Sequence, residues 1–193
     1  MADTPQPQSL STVACAIARW LQADSVPFVL IGGMAVSLAG RPRVTQDIDV
    51  LASVNEEGWA DFVASGGRHG FLPRIADPVA FAHDTRVLPL RHETSGIDVD
   101  IVLAGMPFEE DIVANGHPVT VGDGQVRLPR TEDLIIMKAV ARRPKDIADI
   151  EGLIDMADRI DWDYVSHWTL QFAEALETPE IQATIDMLRL RKG

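Results

Sequence analysis

The sequence predicts an α/β (α+β) fold in which a small mixed sheet flanked by helices is followed by a run of C-terminal helices. Three observations carry this expectation. A short apolar strand, Phe28-Val-Leu-Ile31, ends in Gly32-Gly33 and passes into the helix-compatible stretch Met34–Ala39. Two later segments, 47–51 and 97–103, alternate acids with aliphatic residues at the strand period of two. Beyond Pro129 the apolar spacing is helical to the end of the chain.

The elements follow in order. Leu10, Val13, Ala14, Ile17 and Leu21 have helical spacing after a serine able to cap, so residues 9–23 read as an amphipathic helix. Gly40 stops the helix after Gly32-Gly33, and residues 41–46 connect it to the strand that starts at Asp47. Residues 56–65 read as a helix ended by Gly66-Gly67, and 71–82 as irregular, because prolines interrupt isolated apolar residues there. Segments 85–92 and 97–103 form a hairpin-like pair about Glu93-Thr-Ser-Gly96. Pro107 opens a short helix to Asn115, and Gly122-Asp123-Gly124 sits between 119–121 and 125–128 as a second, smaller hairpin. Thr131 is placed to cap a helix to about Arg143, and Pro144 to begin the next. Two more helices are expected near 162–176 and 180–191. The organisation is then a leader at 1–8, a core at 9–128, and a helical segment at 129–193.

Composition bounds the function. At 193 residues, with 46% hydrophobic and 24% charged residues, the chain suits one catalytic unit with a helical appendage. No apolar run reaches the roughly 20 residues that span a bilayer, and residues 1–8 lack the basic and apolar parts of an export signal, so a cytoplasmic protein is expected. The single cysteine, Cys15, lies in an apolar helical stretch and reads as a buried, inert thiol. A formal charge of -12 disfavours broad nucleic-acid binding. Any RNA contact needs a local basic patch, and Lys138, Arg142, Arg143 and Lys145, with Arg189, Arg191 and Lys192, supply a candidate. The five histidines are scattered without ligand spacing, and the four tryptophans fall in predicted helices, where core packing is the default.

Asp47-Ile48-Asp49 is the sharpest chemical feature. Alternation puts both carboxylates on one strand face with Cα atoms about 6.6 Å apart, which lets them converge on a divalent cation or a pair of cations. Hard oxygen ligands suit Mg²⁺. An isolated Asp-x-Asp also fits a solvated edge strand, so its neighbours decide. Gly32-Gly33 between strand and helix points backbone amides and a positive helix end at the turn, where a triphosphate fits. The chain has neither G-x-x-x-x-G-K-[ST] nor G-x-G-x-x-G, which disfavours a P-loop or dinucleotide site. A third acid lies on Ile97–Leu103, where Asp98 and Asp100 share a face and alternation leaves the choice between them open.

The stretch Gly32-Gly33, about a dozen residues, then Asp47-Ile48-Asp49 between apolar residues resembles the signature of the DNA polymerase beta-type nucleotidyltransferase superfamily. With Ala35, a basic residue at Arg43, and Thr45 two residues before the first Asp, it is similar to the AbiEii/AbiGii group of bacterial proteins linked to toxin–antitoxin and phage-defence systems. Asp100-Ile-Val-Leu followed by Pro107-Phe-Glu resembles the family's third-acid strand, which selects Asp100 over Asp98. Residues 128–150 resemble the lysine and Arg-x-x-Asp segment that follows the core.

The resemblance implies Asp47, Asp49 and Asp100 as catalytic and metal-binding residues, with two Mg²⁺ ions expected and Mn²⁺ as a substitute. It implies nucleotide contacts from Gly32, Gly33, Arg43, Thr45 and Lys138, with Asp146 organising Lys138. Spacing alone also allows Lys138, Arg142 and Lys145 to form an exposed basic stripe, or a salt-bridged solvated face. The expected reaction moves NMP from a nucleoside triphosphate to an acceptor hydroxyl on a protein, a tRNA end or a small molecule, with a cognate toxin or antitoxin protein as a partner. Two alternatives remain beside it: a catalytically silent antitoxin or interaction module on the same fold, and a metal-dependent glycosyltransferase, which the Gly-Gly turn and the third-acid strand disfavour.

Overall fold

The computed structural model describes Ser9–Leu190; the leader expected at residues 1–8 and the basic Arg191 and Lys192 lie outside the described residues. The chain resolves into two compact units. One comprises the residues up to Met34 together with Thr45–Leu128, and the other Ala35–Val44 together with the chain from Pro129 onward.

The first unit is built on a five-stranded sheet: β1 (Phe28–Ile31), β2 (Asp47–Ala52), β3 (Phe71–Pro73), β4 (Val87–His92) and β5 (Asp98–Leu103), in the order β1-β2-β5-β4-β3. Only β2 and β5 run parallel, while β1–β2, β5–β4 and β4–β3 are antiparallel, so the sheet is mixed as predicted. Although β1 lies at one edge of the sheet, it has four buried apolar residues in a row. Along β2 the burial falls off at one end: Val50, Leu51 and Ala52 are fully buried, Asp49 is half-buried and Asp47 is exposed. The sheet thus carries its core at one end of β2 and its acids at the other.

Helix α1 (Leu10–Ala23) starts where the Ser9 hydroxyl accepts from the Thr12 amide at 3.2 Å, and its Val13, Ala14, Ile17 and Leu21 are buried as their spacing predicts. Helix α2 (Gly32–Ala39) follows β1 with no intervening loop. A single 3₁₀ turn (Glu56–Gly58) leads into α3 (Trp59–Arg68), which continues through Gly66-Gly67 where a stop was expected. The reason is packing. A Cβ on Gly66 would lie 2.8 Å from the Trp20 ring, so this glycine admits an aromatic neighbour within the helix. Stretch 71–82, expected to be irregular, contains β3 and most of α4 (Pro78–Thr85), which Asp77 caps by accepting from the Ala80 amide at 3.0 Å. The capping aspartate and Pro78 at the first turn are an ordinary helix start masked by a short, weakly apolar helix. Helix α5 (Pro107–Asn115) and the hairpin β6 (His117–Val121)–β7 (Gly124–Leu128) complete the unit, with Gly122 at φ 56° in the tight turn.

The second unit contains α6 (Thr131–Ala141), α7 (Pro144–Met156), α8 (Trp162–Ala175) and α9 (Glu180–Leu190). Arg130, rather than Thr131, caps α6, its amide donating to Asp133 Oδ2 at 3.0 Å. Leu134, Ile135, Ile136, Ile150, Leu153, Ile181, Ile185 and Leu188 form its apolar core. No helix among the described residues is long and apolar enough to cross a membrane.

Candidate active site

The parallel pairing of β2 with β5 sets Asp47 beside Asp98 and Asp49 beside Asp100. Register partners on neighbouring strands point to the same side, so all four carboxylates share one sheet face, with Leu51 and Val102 next along it. Neighbouring strands lie about 4.8 Å apart, which makes this a compact patch of negative charge. Thr45 Oγ1 donates to Asp47 Oδ1 at 2.8 Å and so orients the first acid.

Gly32 lies against this patch. It has φ 65°, and a Cβ there would stand 2.6 Å from Asp49 Cγ and 2.8 Å from Asp49 Cβ. Both the backbone conformation and the space require glycine. The β1–β2 register, Ile31 opposite Asp49, explains the approach: the turn into α2 leaves β1 next to the second acid. The first amides of α2 therefore lie beside Asp49, and the positive end of the helix faces the acids.

Two arginines complete the face. Arg74, just past β3, has its amide donating to Pro89 O at 2.9 Å, and its guanidinium forks between Asp98 Oδ2 at 3.1 Å and a close pair with Asp100. Arg91, the β4 partner of Asp98, donates from Nε to Asp98 Oδ1 at 2.7 Å. The Arg91 hydrogen bond, with the charge of Arg74, holds the Asp98 carboxyl below its ordinary range. Sequence reasoning missed both arginines. Arg91 was legible, because it and Asp98 are equidistant from the Glu93–Gly96 turn; Arg74 had no local signal.

The donor set fits a hard divalent cation, since it consists of carboxylate oxygens grouped on one face beside a helix start. Among the described residues no three His, Cys, Asp or Glu side chains form a ready-made cage. Asp47 and Asp49 are the residues that would hold a first ion.

Arg43 and Lys138 belong to the second unit. Lys138, 5% exposed, bridges Asp146 at 3.0 Å and Asp149 at 2.8 Å. Arg43 Nη2 donates to Asp149 Oδ2 at 3.2 Å; its Nε lies 2.8 Å from Oδ1 but in a direction that makes no hydrogen bond. Arg143 holds Asp146 through both its amide, at 2.9 Å, and its Nε, at 2.7 Å. Burial alone would raise the Asp146 pKa, but the Arg143 and Lys138 hydrogen bonds outweigh it and hold the value at about 2. The exposed basic stripe expected from spacing is not present, because Lys138 points inward and Arg142 is a left-handed cap residue paired with Glu180. Asp146, expected to organise Lys138, and Asp149 are both buried and pair with it.

A cavity of about 390 Å³ between α1 and the β6–β7 hairpin is lined by none of Asp47, Asp49, Asp98 and Asp100. Cys15 lines it and donates to Val121 O at 3.3 Å; the thiol is half-buried, against the expectation of a fully buried one.

The architecture is that of nucleotidyltransferases. An antigenic nucleotidyltransferase-like protein from Paracoccidioides brasiliensis superposes with a TM-score of 0.59 at 17% identity over 92% of each chain. The lincosamide antibiotic adenylyltransferase LnuA, lincomycin-bound, matches with a TM-score of 0.53 at 16% identity, over 73% of this chain and 94% of its own. The antibiotic-resistance factor ANT(2'')-Ia matches with a TM-score of 0.53 at 12% identity, over 97% and 95%. Residues 11–186 match the model of a family described as nucleotidyl transferase of unknown function, DUF2204, and the chain belongs to that family. Among curated proteins none matches the chain.

Proposed function

We propose that the chain is a divalent-cation-dependent nucleotidyltransferase that moves NMP from a nucleoside triphosphate to an acceptor hydroxyl. The observation that carries this reading is the β2–β5 register, which sets Asp49 beside Asp100 on the face that Gly32 touches. The triphosphate would lie against the amides of Gly32 and Gly33. Asp47, oriented by Thr45, and Asp49 would hold a Mg²⁺ ion, with Mn²⁺ as a substitute, and Asp100 would serve a second. When bound, such ions neutralise the charge that develops on the transferring phosphoryl oxygens. The acceptor oxygen forms a bond to the α-phosphorus, the bond from that phosphorus to the β-phosphate oxygen breaks, and pyrophosphate leaves with the electron pair. Asp100 would accept the hydroxyl proton.

Arg43 and Lys138, each engaged by Asp149, serve the nucleotide by holding the loop ahead of Asp47 in place; direct contact would require Asp149 to release a partner. The toxin–antitoxin or phage-defence setting rests on Ala35, Arg43 and Thr45 in the Gly32–Asp49 stretch, and growth arrest on expression tests it.

The deciding experiment incubates the protein with labelled nucleoside triphosphates and a cell extract, then follows the label. Asp49→Asn is expected to lower transfer on the order of a hundredfold or more while retaining the wild-type melting profile. Full transfer by the variant would rule out this site. The Arg74 hold on Asp100 favours a second reading, a silent interaction module. No thermal shift with Mg²⁺ and any of the four nucleoside triphosphates supports it, and Asp49-dependent transfer of label excludes it.

A further inference from the structure

The acid face also carries its own internal counter-ions. Four carboxylates, Asp47, Asp49, Asp98 and Asp100, meet two guanidiniums, Arg74 and Arg91, and both guanidiniums lie on the β5 pair. Each β5 carboxylate is thus in direct contact with a guanidinium. Arg74 is well placed to hold this state. Its backbone is fixed by the hydrogen bond to Pro89 O, its side chain is 26% exposed, and Pro89, the β4 partner of Asp100, brings no competing charge between them.

We infer that Arg74 is a positioning residue that keeps Asp100 closed to a second cation until nucleotide arrives. The inference rests on the nucleotidyltransferase reading of the site and adds an order to it. The first cation binds at Asp47 and Asp49 with Arg74 in place. A second cation at Asp100 must displace a guanidinium, and the two positive charges repel at that carboxylate. A triphosphate favours the exchange, because its phosphate oxygens offer the released guanidinium new acceptors. Arg74→Lys retains the charge and loses the fork that spans Asp98 and Asp100.

The test counts Mn²⁺ ions bound to the nucleotide-free protein by titration with electron paramagnetic resonance detection of free Mn²⁺. Wild type is expected to bind about one ion tightly, and Arg74→Gln about two, the second with at least a tenfold gain in affinity. Asp49→Asn removes the first site. Arg74→Lys lies between wild type and Arg74→Gln in second-site affinity, since charge without the fork holds Asp100 less well. Circular dichroism melts of each variant establish that the fold is intact. Equal stoichiometry and affinity in wild type and Arg74→Gln, or weaker binding in Arg74→Gln, overturns the role of Arg74 and leaves the transferase reading standing, provided Asp49→Asn still loses its ion. Absence of Asp49-dependent Mn²⁺ binding in all the proteins overturns both.

Discussion

Gly32 shows how a single residue type can be dictated twice. Its φ of 65° costs an L-residue about 1 kcal/mol or more, and the missing Cβ leaves the space into which the Asp49 side chain fits. Because the overlap in an alanine variant involves Asp49 Cβ as well as its carboxylate, rotating the side chain does not relieve it, and β1 or β2 must move. Gly32→Ala is expected to lose about 3 kcal/mol of stability, measured by urea denaturation, and to lose the Asp49-dependent cation site with it. A loss under about 1 kcal/mol would mean that the turn relaxes freely. The glycine and the acid pair were both legible in the sequence, because each lies next to a periodic strand. Their contact was not, since it depends on the antiparallel register that sets Ile31 opposite Asp49. Asp98 is the complementary case: alternation placed it on the acid face with Asp100, and its second arginine, Arg91, is a contact that Asp100 does not share.

At the scale of elements, α7 supports the residues that lead towards β2. Arg43 pairs with Asp149, Arg41 pairs with Asp155, and Ser37 exchanges two hydrogen bonds with the Arg43 backbone, at 2.9 and 3.2 Å. Gly152 lets α7 approach Arg41, whose Cβ lies 3.3 Å from the position a Gly152 Cβ would take. Removing one partner from a buried ion cluster leaves uncompensated charge, so Asp149→Asn is expected to cost roughly 3 kcal/mol. It is also expected to speed amide exchange across residues 41–46, read by hydrogen–deuterium exchange mass spectrometry. Unchanged exchange there would show that the loop is held without Asp149. The sequence revealed the helices here but not the orientation of their charges. Lys138, Arg142 and Lys145 at i, i+4 and i+7 read as a stripe, yet α6 ends at Ala141, and the left-handed Arg142 breaks the geometry on which that spacing relies.

For the whole molecule, acid tests the ion cluster against a background of -12 formal charge. The Asp146 pKa is lowered from 3.8 to about 2 on folding, so its stabilisation is complete above pH 4 and is lost as the pH falls through 2. That amounts to roughly 2 kcal/mol, and the difference between wild type and Asp146→Asn in unfolding free energy from urea denaturation should narrow by this amount between pH 5 and pH 2. A difference independent of pH would show that the carboxylate is not held ionised by its partners. The mixed sheet, most of the helices and the acid face were legible in the sequence, whereas the strand order, β3 and α4 were not.

The partition of the chain also has a consequence for synthesis. Residues 35–44 leave the ribosome early, yet their partners Asp149, Gly152 and Asp155 are translated more than a hundred residues later. The strand bearing Asp47 can pair with Phe28–Ile31 as soon as both have emerged, but the loop that feeds it must wait for the helices. A nascent chain therefore holds Asp47 and Asp49 long before the helix that pairs with Arg41 and Arg43 has been made.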